Sequence, residues 1–239
     1  MTGTRTATTQ KTNRDLGALA ALVALATTLA LAALMALMAL GASADKAEAG
    51  TAAVTKTFSN VAQIKMPSGA VAGDCSAGPT QGAAVPYPSR IPLSLSNGFP
   101  QGSRVLDVNL TLKNYTHTFP DDVDVLLVHG TKSRTVLSDV GGLYDVNNVN
   151  LTLDDESPTS LLPFDNSQMV SGTFKPLNKS GQDNDLFPSP APNPHDGTQY
   201  LTGFDGMKAN GEWQLYVQDD AGGDCGTIAG GFSLTIKAR

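Results

Sequence analysis

The chain has 239 residues, a formal net charge of −6 and only two cysteines. This length has room for one or two domains. The first 44 residues contain three basic residues and one acidic residue, so the remainder carries a net charge of −8. An acidic chain without a basic stripe argues against nucleic acid and anionic membrane surfaces as partners, and it suits divalent cations better.

The N-terminal segment has the three parts of a secretory signal peptide. Three basic residues precede an uncharged apolar run from Leu16 to Leu40, and the small residues Ala42 to Ala44 follow it. This order predicts export with cleavage after Ala44, or after Ala49 as a second candidate. The run is also long enough to cross a bilayer, so an uncleaved membrane anchor is the alternative. Both interpretations place the remainder outside the cytoplasm.

The chain after this leader predicts short strands rather than helices. Residues 45–53 are small and polar, which is typical of a tether, and one domain is expected over residues 54–239. The clearest pattern lies between Arg104 and Lys113, where Leu106 and Val108 begin an apolar row that alternates with polar residues. This alternation predicts a strand with one solvated face.

Further alternating runs continue this pattern to the end of the chain. They are Asp122–Val128, Thr135–Leu137, Val149–Leu153, Trp213–Val217 and Phe232–Ile236. Trp213 shares the phase of its apolar neighbours, which favours a core position over an exposed sugar-stacking one. The proline-rich segment 187–194 is expected to form an extended surface loop. Many short strands separated by glycine-rich turns predict an all-β fold, either a β-sandwich or a jelly roll.

An ordered set of segments between Ile91 and Ile236 resembles the P domain (Homo B domain) of subtilisin-like proprotein convertases of the kexin and furin type. The segments are Asp107–Leu112, His117–Val128, Leu137–Gly142, Val149–Asp155, Ser171–Pro176, Asn210–Asp220 and Gly226–Leu234. The resemblance implies a jelly-roll β-sandwich like that of galactose-binding domains. In convertases this module packs against the subtilisin-like domain and supports its folding and stability.

The resemblance implies an exported, non-catalytic module, because no protease domain accompanies these segments. Its expected partner is a separately encoded subtilisin-like serine protease or a cell-surface assembly. The alternative is a β-sandwich that binds carbohydrate or another ligand, since jelly rolls often host such sites. A third hypothesis, a serine-type endopeptidase inferred through the P domain, conflicts with the missing catalytic domain.

The triplet from His129 to Thr131 matches the context of the catalytic histidine in subtilisin-like proteases. A triad also needs an acid and a nucleophile in suitable geometry, and the family's Gly-Thr-Ser setting for the nucleophile is missing. We therefore interpret His129 as an exposed hairpin histidine and predict no catalytic residue in this chain.

Acidic residues cluster where strands are predicted to start or end, and they are the candidate metal ligands. They are Asp122, Asp124, Asp139, Asp154, Asp155, Asp219 and Asp220. Ca²⁺ takes six to eight oxygen ligands, so such loops, together with the family resemblance, predict a Ca²⁺ site. Asp122 and Asp124 are expected to share one face of a strand. The alternative is that these residues form turns and keep the protein soluble.

The two cysteines, Cys75 and Cys225, both follow the leader. In an exported chain an even count predicts one disulfide, with two free thiols or a metal pair as alternatives. The family pattern, in which the first and last strands lie near each other, supports the bridge.

Overall fold

Strands connected by turns make up the part of the chain that the computed structural model describes, residues 52–67, 81–159, 167–179, 185–192 and 198–239. These residues belong to one compact unit, Thr51–Arg239. The predicted signal or anchor segment and Cys75 lie outside the described residues. Within the described ranges, no helix is long and apolar enough to cross a membrane.

Thirteen strands are present in these ranges. In chain order they are β1 (Val54–Asn60), β2 (Ile64–Met66), β3 (Gly82–Ala83), β4 (Ser89–Leu93), β5 (Val105–His117), β6 (Val123–His129), β7 (Lys132–Ser138), β8 (Val146–Leu153), β9 (Gly172–Phe174), β10 (Leu177–Asn178), β11 (Gly211–Asp219), β12 (Gly226–Ile228) and β13 (Phe232–Ala238). Two short 3-10 helices, Pro120–Asp122 and Leu201–Phe204, interrupt them.

The strands form two sheets. In the seven-stranded sheet, the long β5 has β13 and β12 along one side and β8 along the other. The outer strands of this sheet are β1, β2 and β9. In the six-stranded sheet, the order is β10, β7, β6 and β11, with β3 and β4 both on the far side of β11. The pairs β8–β9 and β7–β10 are parallel, and the other ladders are antiparallel.

The core lies between the two sheets, because every second residue of the central strands is apolar and points inward. Its largest fully buried side chains include Trp213, Tyr115, Phe204 and Phe232. The prediction of an all-β sandwich is therefore confirmed. The core position of Trp213 is confirmed as well, since none of its surface is exposed.

The predicted inward orientation of Leu106 in β5 is wrong. Leu106 is 37% exposed, whereas its neighbour Val105 is fully buried. The register between β5 and β13 shifts at Lys237 and Ala238, which is a bulge-like irregularity. A bulge inserts one extra residue into a ladder, so the side chains before it fall out of the alternating phase.

The proline-rich segment covers the outer face of the six-stranded sheet. Phe187 is 1% exposed, and together with Ala191 it packs against Leu126, Val128 and Tyr216. The expected surface loop thus has a buried side that closes a second, smaller apolar cluster.

Candidate functional site

The two sheets place a histidine and a carboxylate against each other at one end of the sandwich. His117 projects inward from β5 and Asp219 projects inward from β11, and neither side chain is exposed. His117 Nε2 lies 3.2 Å from Asp219 Oδ2. The other carboxylate oxygen, Asp219 Oδ1, is buried without a hydrogen-bond partner among the described residues, and so is the hydroxyl of Tyr115. Such unsatisfied buried groups point to a bound water or ion.

The carboxylate of Asp122 is influenced by the charges of three other carboxylates, and we call these four residues the inter-sheet acidic cluster: Asp121, Asp122, Asp219 and Asp224. Partial burial, together with the negative charges of Asp219 and Asp224, raises the pKa of Asp122 to about 6. Burial also raises the pKa of Asp219, although the hydrogen bond and charge of His117 oppose the shift. Because burial and repulsion both penalise these negative charges, a cation at the cluster would stabilise it.

Asp122 and Asp124 do not form the pair that alternation predicts. Asp122 ends a 3-10 helix instead of beginning the strand, so the alternation of side chains along a strand does not apply to it. Asp124 lies in β6 in phase with Leu126 and Val128, which face the proline-rich loop. Its Oδ2 accepts a 2.8 Å hydrogen bond from Gln218 Nε2.

Asp154 and Asp155 bind backbone groups in turns. Asp155 accepts hydrogen bonds from the backbone N–H groups of Leu201 (3.1 Å) and Thr202 (2.7 Å), at the start of the second 3-10 helix. Asp154 Oδ1 accepts one from the backbone N–H of Glu156 at 2.9 Å. This is the turn-forming role that was the alternative to metal binding.

Asp139 lies near a different polar cluster. Its backbone is in the left-handed region (φ 55°), and its carboxylate accepts a hydrogen bond from Ser138 Oγ at 3.4 Å. Asp185, which the sequence pattern does not single out, accepts hydrogen bonds from Ser138 Oγ (2.7 Å) and Asn178 Nδ2 (2.8 Å). Asp220 is half-buried, and its backbone N–H donates to the carbonyl of Asp122 at 2.9 Å.

The predicted set of acids therefore divides between separate places, and only Asp122 and Asp219 belong to the inter-sheet acidic cluster. Within the described residues, no group of three or more His, Cys, Asp or Glu side chains could hold a metal ion. A Ca²⁺ ion at this cluster would have to take main-chain carbonyl oxygens and water in addition to carboxylates, as Ca²⁺ sites commonly do.

His129 is buried, so its interpretation as an exposed hairpin residue is wrong. It is 3% exposed, and its ring stacks on Trp213 with a centroid distance of 3.9 Å and an interplanar angle of 4°. Nδ1 lies 3.0 Å from the carbonyl oxygen of Glu212, and Nε2 lies 2.8 Å from that of Lys208. Both ring nitrogens thus face backbone carbonyls, and the ring anchors the start of β11 to the end of β6.

A groove of about 850 Å³ lies beside His129. Its wall includes two basic side chains, Arg104 and Lys208, and two acidic ones, Asp205 and Glu212. Trp213 is fully buried, so it offers no ring face to a sugar in this groove.

Cys225 is 5% exposed and disulfide-bonded. Cys75 lies outside the described residues, so the pairing of Cys75 with Cys225 stays a prediction. The strands that the family pattern brings together, β1 and β13, pair in continuous antiparallel register.

Comparison of this chain with protein-family models, with curated proteins and with solved structures gives no match.

Proposed function

We propose that this protein is an exported, non-catalytic interaction module of the P-domain type, stabilised by Ca²⁺. The supporting observation is the inter-sheet acidic cluster, where a fully buried carboxylate oxygen of Asp219 has no partner among the described residues. The segments that carry the P-domain resemblance include strands of both sheets of the sandwich. The proposed partner is a subtilisin-like serine protease or a cell-surface assembly.

The non-catalytic part of the proposal rests on His129. A general base needs a free ring nitrogen within hydrogen-bond distance of a nucleophile. Here both nitrogens face carbonyl oxygens and the ring is buried against Trp213. We therefore expect no hydrolysis of casein by the purified protein with Ca²⁺ present. Casein hydrolysis that is lost in His129→Ala would contradict this proposal.

Calcium binding is tested by thermal unfolding in chelator, Ca²⁺ and Mg²⁺. A ligand at a hundredfold excess over its Kd stabilises the folded state by about 2.7 kcal/mol. In a domain of this size that raises Tm by about 5–10 °C. The rise in Tm should be larger with Ca²⁺ than with Mg²⁺, because Mg²⁺ requires a tight octahedral site and keeps its bound waters. Equal midpoints in chelator and in millimolar Ca²⁺ would remove calcium from the proposal.

The partner is tested in its native setting. The tagged protein is exported by its own host, cross-linked outside the cell and purified with its neighbours. We expect a subtilisin-like serine protease or a surface protein to be enriched over a control in which an unrelated β-sandwich carries the same leader and tag. Enrichment of neither class would contradict the interaction role, while binding on a glycan array would favour the carbohydrate alternative.

A further inference from the structure

β1 is an edge strand that lacks the usual protection against pairing with another chain. The edge strands β2, β3, β9 and β10 are each two or three residues long, and the edge strand β4 contains Pro92. Short edges and prolines both prevent strand addition. β1 has seven residues and no proline.

The single charge of β1 is that of Lys56, which is bound within its own molecule. Lys56 Nζ donates a 2.5 Å hydrogen bond to the carbonyl of Gly98 and lies 5.4 Å from the ring centroid of Phe99. Phe58 packs on the same ring at 5.7 Å. An edge lysine ordinarily blocks strand addition by pointing outward. This lysine is bound to its own molecule instead.

The free edge of β1 offers a full row of backbone groups. One edge pairs with β13 in unbroken register, from Val54 opposite Ala238 to Asn60 opposite Phe232. The other edge has no backbone hydrogen-bond partner within the described ranges. A strand with one such row of donors and acceptors is a template for another strand.

We propose that β1 pairs antiparallel with β1 of a second copy of this chain, about a two-fold axis at Thr57. In this register Thr57 lies opposite Thr57 of the second copy, and Thr55 lies opposite Ser59. The two lysines are then not opposite each other, because Lys56 faces Phe58. A register centred on Lys56 would instead place the two lysines in direct opposition, which is unfavourable.

In this register, hydroxyl side chains of one copy lie opposite hydroxyl side chains of the other. Thr55, Thr57 and Ser59 are all exposed and lie on one face of β1. Thr57 Oγ1 already hydrogen-bonds with Thr235 Oγ1 of the neighbouring strand at 2.9 Å. The new pairs would extend this row of hydroxyls across the two-fold axis. A seven-residue strand pair is smaller than a standard interface, so the association is weak and its detection benefits from covalent capture.

Disulfide capture tests both the pairing and its register, on the protein in the form its host exports, with detergent if the leader is retained. Directly opposite residues in antiparallel strands have Cα atoms about 4.5–5.5 Å apart, within the range of a disulfide. Under mild oxidation we expect Thr57→Cys to form covalent dimers. Thr55→Cys and Ser59→Cys should each stay monomeric alone and cross-link when mixed. Two Thr55 positions would lie about 13 Å apart, at about 3.3 Å per residue, which is too far for a bridge.

The matched control is Thr173→Cys, an exposed position on the short edge strand β9. A monomeric Thr57→Cys overturns the proposal. Cross-linking of Thr173→Cys at the same rate, or of Thr55→Cys with itself, overturns it as well. The cross-linked positions include no residue of the acidic cluster and the readout is a covalent dimer, so these results are independent of the calcium-dependent melting that tests the proposed function.

Charge at the two-fold axis gives a second, non-covalent test. Thr57→Lys and Thr57→Asp each place like charges opposite each other, which should weaken dimerisation about fivefold. A mixture of the two variants places opposite charges together and should restore the wild-type dimer fraction in sedimentation equilibrium. Failure of the mixture to recover, or a wild type that stays monomeric at the highest attainable concentration, overturns the proposal.

Discussion

Asp122 and Asp124, which the sequence pattern places on one face of a strand, have different environments, and this difference gives a prediction at the scale of residues. Asp122 belongs to the inter-sheet acidic cluster, whereas Asp124 accepts a hydrogen bond from Gln218. Asp122→Asn should therefore remove most of the Ca²⁺-dependent rise in Tm. Asp124→Asn should lower Tm equally in chelator and in Ca²⁺, because it weakens a charge-assisted hydrogen bond. The measurement is a thermal melt of both variants in each condition. A calcium response that survives in Asp122→Asn would place the ion elsewhere.

His129 gives a second prediction at this scale. His129→Ala removes the stacking on Trp213 and the ring nitrogens that lie within hydrogen-bond distance of the carbonyl oxygens of Glu212 and Lys208. The expected loss is about 2–4 kcal/mol in the free energy of unfolding, measured by urea denaturation. Lys132→Ala, an exposed change on the same hairpin, is the control and should cost less than about 0.5 kcal/mol. Equal costs for the two variants would show that His129 does not anchor β11.

The sequence pattern predicts the burial of Trp213 but not that of His129, and the reason is physical. The burial of Trp213 follows from its phase among neighbouring apolar residues, which is local information. The burial of His129 depends on carbonyl acceptors about 80 positions away in the chain. The same holds for Asp219, whose partner His117 lies on the opposite sheet, so the acidic run is visible in the sequence but its grouping is not.

At the scale of elements, the proline-rich segment behaves as part of the fold rather than as a loose connection. Phe187→Ala should destabilise the protein by about 3 kcal/mol or more, because a fully buried aromatic ring is lost from the cluster around Tyr216. Its neighbour Leu186 is 68% exposed and provides the control, with an expected change near zero for Leu186→Ala. Chemical denaturation measures both. If the two changes cost the same, the segment does not cover the sheet in solution.

The strands predicted from alternation all lie within or overlap strands of the structure, and they are mostly the central ones. β6, β11 and β13 have buried faces on the core, so their apolar phase is strong. β1 was not predicted because most of its residues are exposed and its sequence carries no apolar alternation. The short strands such as β3 and β10 have too few residues for any period. Strands at the sheet edges and very short strands are therefore hard to predict from sequence. The fold class can be predicted from the alternating pattern of the central strands.

At the scale of the whole molecule, the remaining prediction concerns the disulfide of Cys225. Mass spectrometry of the exported protein without reduction should find Cys75 linked to Cys225 and no alkylatable thiol. A disulfide that closes a loop of about 150 residues is expected to contribute several kcal/mol, so reduction should lower Tm. The double variant Cys75→Ser with Cys225→Ser should match the reduced wild type. Two alkylatable thiols in the native exported protein would contradict the bridge.

The pairing of β1 with β13 has a mechanical consequence. Val54 lies opposite Ala238, so the residues that enter and leave the sandwich are neighbours at one end of a shared ladder. A pulling force applied between these two points acts across the ladder and peels the strands apart one hydrogen-bonded pair at a time. Strands loaded at opposite ends would have to break all their pairs together. The domain should therefore yield at low force when it is pulled through these ends, with β1 released first and the seven-stranded sheet left otherwise intact.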